Sequence, residues 1–186
     1  MNETAAAIRS RLDRPIVLTG LMGVGKTRIG GLLADALDLP FIDSDSEIER
    51  AAGLGVSEIF EKFGEAHFRD GEHRVIKRLL AGPPSVISTG GGAIMTPATA
   101  ELVWDKAVSV WIRAELPVML ERVSRNDRRP LLKNGDPEAI LKDLMEKRYS
   151  VYGKADIVVQ SHNGPAEPVR DQALEKLHEH LLKRAP

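Results

Sequence analysis

Short apolar runs alternate along the chain with longer stretches whose apolar residues recur at helical spacing. The runs fall at 16–19, 40–42, 85–88, 107–112 and 157–159; each has strand length and none is long enough for a helix with a buried face. After the first of them Ile29, Leu32, Leu33, Ala36 and Leu37 keep the i, i+3, i+4, i+7, i+8 spacing of one helix face. The same spacing returns in Leu116, Met119, Leu120 and Val123, and in Val169, Ala173, Leu174, Leu177 and Leu181. Strand and helix in alternation predict βαβ units, hence a three-layer α/β domain with five parallel strands and helices on both faces. Two stretches break the alternation. Residues 51–81 are helical in pattern and, with their flanks, form an expected substrate-binding insertion over about 44–82. Residues 124–136 are charged, contain Pro130 and Asn134-Gly135, and are expected to form a mobile lid. Residues 1–14 are read as an N-terminal extension and 15–186 as a single domain.

Composition narrows the picture mainly by exclusion. A chain of 186 residues suffices for one core of ordinary size but not for two comfortable domains. A net charge of -1 gives no basic footprint, so no nucleic-acid partner is expected. No apolar stretch approaches a membrane span, and the first residues lack the apolar segment of a secretion signal. The absence of cysteine removes disulfides, thiolate metal sites and a thiol nucleophile, and it suits a reducing cytoplasm, the expected location. The five histidines show no ligand spacing; His178 and His180, two apart on a helix, face different directions.

The candidate chemistry gathers at the carboxyl ends of the strands, where open parallel sheets bind ligands. Gly20-Leu21-Met22-Gly23-Val24-Gly25-Lys26-Thr27 spells G-x-x-x-x-G-K-[ST] directly after the first strand. In that setting backbone N–H groups turn towards phosphate oxygens, Lys26 reaches the β/γ-phosphates, Thr27 offers a hydroxyl to Mg²⁺, and the following helix aims its positive end at the anion. Past the second strand Asp43 and Asp45 stand two apart. One can support a metal's water shell and the other take a proton from a substrate hydroxyl, or Asp43 or Ser44 can simply cap a helix. Gly90, Gly91 and Gly92 follow the third strand and permit close backbone approach to a small ligand. Arg69 either pairs with Glu65 or Glu72 at helical spacing or, together with Arg148, holds a substrate carboxylate bidentately. Arg122, Arg125, Arg128 and Arg129 supply the lid region with cations for phosphoryl-transfer charge.

The combination of Asp43-x-Asp45, Gly64-Glu65-x-x-Phe68-Arg69-x-x-Glu72, Gly90-Gly91-Gly92, Arg129-Pro130-Leu131-Leu132 and Arg148-x-x-x-Tyr152, in that order behind the phosphate loop, resembles the shikimate kinase family. The resemblance runs from about residue 16 to 156 and implies a P-loop kinase fold. It implies transfer of the ATP γ-phosphate to the 3-hydroxyl of shikimate, with ATP and Mg²⁺ as cofactors, and a monomer. It further implies that Gly23, Val24, Gly25, Lys26, Thr27 and Arg28 hold the ATP phosphates and that Thr27 binds Mg²⁺, with Asp43 supporting it through water. By the same resemblance Asp45 engages the shikimate hydroxyls and acts as base or orienter, Arg69 and Arg148 hold the carboxylate, Gly91 lines the substrate site, and Arg129 reaches the nucleotide from the lid. The chain departs from the family at Ser150 and Lys154, where many members carry proline and glutamate. Gluconate kinases and nucleoside monophosphate kinases resemble the same architecture but lack the triple glycine with two arginines. A non-catalytic nucleotide switch would have no use for Asp45 or Arg129, and no Asn-Lys-x-Asp guanine-reading motif occurs.

Overall fold

The computed structural model describes residues 3–125 and 135–183. Among these, the order is α1 (Glu3–Arg11), β1 (Ile16–Thr19), α2 (Lys26–Leu37), β2 (Phe41–Asp43), α3 (Ser44–Ala52), α4 (Val56–Leu80), β3 (Val86–Ser88), a 3₁₀ turn (Ala93–Met95), α5 (Pro97–Lys106), β4 (Val108–Ala114), α6 (Leu116–Ser124), α7 (Pro137–Tyr152), β5 (Ile157–Ser161) and α8 (Glu167–Lys183). The strands form one parallel sheet in the order β2-β3-β1-β4-β5. Every residue of β1 is buried, as its central place demands: Ile16, Val17 and Leu18 meet the core, and Thr19 hands the chain to the phosphate loop. Helices α1, α2 and α8 pack together on one face; α5 and α7 meet through the 3₁₀ turn on the other.

The strand ends differ from the apolar runs where pairing, not polarity, decides. Pro40 has no N–H to offer and lies just before β2, though its carbonyl accepts from Val86 N at 2.9 Å. The polar Asp43 extends β2 because it pairs in register with Ser88. β4 runs on through Arg113 and Ala114, which align with Gln160 and Ser161 of β5.

Residues 1–14, expected as an extension, contain α1, which buries Ala5 and Ile8, followed by Leu12, in the main core beside α2 and α8. The stretch between β2 and β3 is helical, as expected, and α3 and α4 enclose a small core of their own from Ile48, Ile59, Phe68 and Val75. α3 starts directly after β2, whose last residue caps it: Asp43 accepts from Asp45 N at 3.0 Å and Ser46 N at 3.3 Å, an N-cap that contributes about 1 kcal/mol. α4 is kinked at Gly64, whose φ of 80° and ψ of 172° break the helical path in two. The expected lid falls largely on 126–134, so Arg128, Arg129, Pro130, Leu131 and Leu132 lie outside the described residues.

Candidate active site

The phosphate loop has the backbone its glycines allow: φ is 139° at Gly20, 82° at Gly23 and 95° at Gly25, values that side chains rarely accept. α2 begins at Lys26 directly behind it, so the unpaired N–H groups of its first turn face the loop's hollow. Lys26 Nζ arches back to donate to Gly20 O at 2.8 Å and Leu21 O at 3.0 Å. Val24, expected among the phosphate-binding residues, buries its side chain in the main core at 1% exposure, so it can serve a ligand only through its backbone.

Arg122 is the residue that sequence reasoning misplaced. It belongs to α6, not to the lid, and its guanidinium braces the loop from behind. Nη1 donates to Gly23 O (3.2 Å), Val24 O (3.1 Å) and Ser161 Oγ (2.9 Å), and Nη2 donates to His162 O (2.6 Å). Loop carbonyls pulled towards Arg122 leave the loop's N–H groups to face the cleft. Burial pushes the Arg122 pKa down, partly countered by Glu121. The sequence signal for this role is slight: Arg122 stands three residues after Met119 within the apolar helical pattern of Leu116, Met119, Leu120 and Val123.

Across the cleft, Asp43 and Asp45 divide as their positions require. The Thr27 hydroxyl lies 3.4 Å from Asp43 Oδ2, so the cap residue also faces the phosphate loop. Asp45, on the first turn of α3, is half-buried, and its carboxyl pKa is raised, first by burial and then by Asp43, against the pull of Lys26 and Arg69. A Cβ on Gly90 would stand 2.9 Å from Asp45 Oδ1, closer than real Cβ contacts come, and a tight 3.3 Å from Glu72 Oε1.

The next two glycines carry the arginines. A Cβ on Gly92 would overlap Arg69 Nη2, and one on Gly91 would meet Arg148 Nη1 at 3.6 Å. The helical pairing of Arg69 is present: Nη1 donates to Glu72 Oε2 at 2.7 Å, Glu65 Oε1 lies 3.4 Å from Nη2, and the guanidinium lies 5.3 Å from the Phe68 ring. Glu72, 1% exposed, holds Arg69 through one oxygen, while its Oε1 has no partner among the described residues. Burial raises its pKa, and Arg69 opposes the rise. Arg148 Nη1 donates to Gly91 O at 2.8 Å, and the Tyr152 hydroxyl donates to the same oxygen.

These parts enclose a cleft of about 560 Å³ lined by Gly23, Gly25, Lys26, Thr27, Arg28, Asp43, Asp45 and Gly91. Arg69 and Arg148 are not on that wall; Arg148 meets it at Gly91, and Arg69 lies one residue further on, against Gly92. A second cleft of about 430 Å³ opens beyond Arg122, lined by Arg28, Ser161, Asn163, Gly164 and Pro165 among others. A cavity of about 410 Å³ between α3 and α4 has no carboxylate on its lining and belongs to the insertion. No group of three or more His, Cys, Asp or Glu among the described residues is placed to hold a metal, and no helix there is long and apolar enough to cross a membrane.

A phosphate loop at the carboxyl end of a strand in a parallel sheet, with an acid facing it across a cleft, is the arrangement of the P-loop phosphotransferases. The model of the shikimate kinase family matches residues 22–178. Shikimate kinase of Rhodopseudomonas palustris is 48% identical over 174 residues, covering 94% of this chain and 86% of that protein. That of Paramagnetospirillum magneticum is 49% identical over 177 residues, covering 95% and 91%. Among solved structures, shikimate kinase from Acinetobacter baumannii in complex with shikimate superposes with a TM-score of 0.88 at 35% identity, covering 96% of this chain and 99% of that one. A gluconokinase from Sinorhizobium meliloti, at 19% identity and a TM-score of 0.58, shares the fold alone. The chain belongs to the shikimate kinase family.

Proposed function

We propose that this protein transfers the γ-phosphoryl group of ATP to the 3-hydroxyl of shikimate. The observation that carries the reading is the row of three glycines, which meets Asp45, Arg148 and Arg69 at consecutive residues and whose first two members line the cleft of the phosphate loop. A flat carboxylate suits two guanidiniums, and an acceptor hydroxyl on the same small ring then lies on the side of Asp45.

In the transfer, a bond forms between the hydroxyl oxygen and phosphorus as the bond to ADP breaks. Asp45 receives or orients the hydroxyl proton, a task suited to a carboxyl whose pKa is already raised. Lys26 and the backbone N–H groups of the loop stabilise charge on the phosphoryl oxygens. The Thr27 hydroxyl and Asp43 carboxylate are hard oxygen donors set side by side, a pair that fits Mg²⁺, which keeps several waters and needs few protein ligands. When bound there, Mg²⁺ would offset phosphate charge. The cleft beyond Arg122 adjoins the loop through Gly25 and Arg28 and is assigned to the nucleoside end of ATP. Arg129 is assigned to the nucleotide by family resemblance. A monomer is assigned by family resemblance, and the absence of cysteine supports a cytoplasmic setting.

Coupled ADP release, measured with and without shikimate, tests the assignment. Turnover that requires shikimate and ignores gluconate is the expected result; slow hydrolysis indifferent to both would make the protein a nucleotide switch.

A further inference from the structure

Tyr152 closes the Arg148-x-x-x-Tyr152 motif, yet no step above uses it. It is the last residue of α7, one helical turn beyond Arg148, so both side chains leave the same face of the helix. Both donate to the carbonyl oxygen of Gly91. A carbonyl oxygen has two lone pairs, and these two donors fill them.

The ring does not explain the hydroxyl. Tyr152 is 0% exposed and packs 5.8 Å from the Trp111 ring and 6.4 Å from the Tyr149 ring, where phenylalanine would bury the same surface. A buried hydroxyl without an acceptor is costly, so its placement makes sense only through the oxygen it reaches. That oxygen belongs to the glycine row. Fixing the Gly91 carbonyl towards α7 fixes the planar peptide that joins Gly91 to Gly92, the residue over which Arg69 lies. Sharing the acceptor also keeps Arg148 Nη1 occupied in one direction, so the remaining donors of its fork are presented from a set position.

We propose that Tyr152 is a positioning residue of the substrate clamp: its hydroxyl, with Arg148, locks the Gly91 carbonyl and so holds Arg148 and the seat of Arg69 ready for the carboxylate before substrate arrives. The inference rests on the reading of Arg148 as a carboxylate-binding residue. Burial pushes the Tyr152 pKa up to about 12, against the pull of Arg148, so the hydroxyl remains a donor throughout the usual assay range.

The test is Tyr152→Phe in the full chain, which deletes the donor and keeps the ring, with folding checked by circular dichroism. Shikimate KM should rise about fivefold, the scale of one neutral hydrogen bond, while kcat and the KM for ATP stay within about twofold. A purely structural hydroxyl would lower Tm and leave the shikimate KM where it was; that result, or an equal rise in both KM values, overturns the proposal. Calorimetric titration with shikimate, without nucleotide, adds a second criterion. In an Arg148→Ala background the effect of Tyr152→Phe should shrink below about twofold, because the guanidinium it positions is gone; an undiminished effect also overturns it. If Arg148→Ala binds shikimate like the parent, the site reading falls and this inference with it. If Arg148→Ala is weakened while Tyr152→Phe binds like the parent, the inference alone falls.

Discussion

The proposed phosphate end of the cleft takes nearly all its groups from one continuous segment, 20–27, whereas the end proposed for the acid draws on separate segments: Asp45 from α3, Arg69 from α4, the glycines after β3 and Arg148 from α7. The two ends also differ in anchorage. Leu21 and Val24 of the loop are buried in the main core, and Arg122 braces the loop's carbonyls, so its shape is set by the body of the domain. Arg69 sits on an insertion with its own small core and depends on the buried Glu72 for its direction. A site made of backbone donors can be one local turn, because neighbouring N–H groups already point together. A clamp for a planar acid needs side chains arriving from opposed directions, and one short segment cannot supply them.

Breaking the phosphate end should have the largest effect. Lys26→Ala removes the charge that follows the γ-phosphoryl group, and turnover should fall on the order of 10³-fold or more with the circular dichroism spectrum unchanged. A folded Lys26→Ala protein of near-parental activity would take the loop out of the mechanism.

Asp45→Asn sits between the two ends and should lower kcat on the order of 10²-fold, the loss expected for a general base. In the parent, kcat/KM for shikimate should fall as pH drops through the raised pKa of Asp45, and the residual kcat/KM of the variant should lose that limb. Stability should move oppositely. Because the folded pKa lies above the unfolded one, the native state binds more protons between the two, and stability declines as pH rises across that window. Asparagine removes the penalty, so the variant's Tm at neutral pH should exceed the parent's by roughly 2–4 °C for each kcal/mol relieved. The advantage should close in acid below the ordinary carboxylate range. A rate within about threefold of the parent, less than about 1 kcal/mol, would deprive Asp45 of its role.

The acid end should fail in its own manner. Arg69→Ala or Arg148→Ala breaks a charge-assisted pair worth at least about 2 kcal/mol when enclosed, so the shikimate KM should rise about 30-fold or more while ATP binding barely changes. Arg122→Lys sharpens the contrast with the smallest effect. It keeps the charge but loses the planar fork, and should weaken ATP about tenfold, leaving shikimate titration without nucleotide unaltered. Should Arg122→Lys weaken shikimate as much as Arg148→Ala does, the two ends are not separately built.

Legibility followed the same division. The phosphate loop could be read because its chemistry is contiguous, and the strands because buried runs of Val and Ile stand out from helical spacing. Arg122 was read as one of a run of lid arginines, since nothing near it in sequence reveals that Gly23 and Val24 lie against it. Val24 was counted as a phosphate residue by its place in the motif, and only packing shows its side chain turned into the core. Glu72 stands in sequence only as a possible helical partner of Arg69, and its burial and its approach to Gly90 depend on the glycine row after β3 coming up against α4.

By itself the sequence determined the alternation of strand and helix, the phosphate loop with its lysine and threonine, and the set of acid, glycine and arginine motifs that marks the family. These are properties of neighbours along the chain, where turn geometry and periodicity act within a few residues. Only the tertiary structure decided which glycine meets which charge, that α1 belongs to the core, that Arg122 braces the loop, and that Arg148 and Tyr152 share one carbonyl. Those outcomes depend on contacts between segments as far apart as residues 23 and 122 or 91 and 152. Such contacts are set when the sheet order β2-β3-β1-β4-β5 brings the strand ends together.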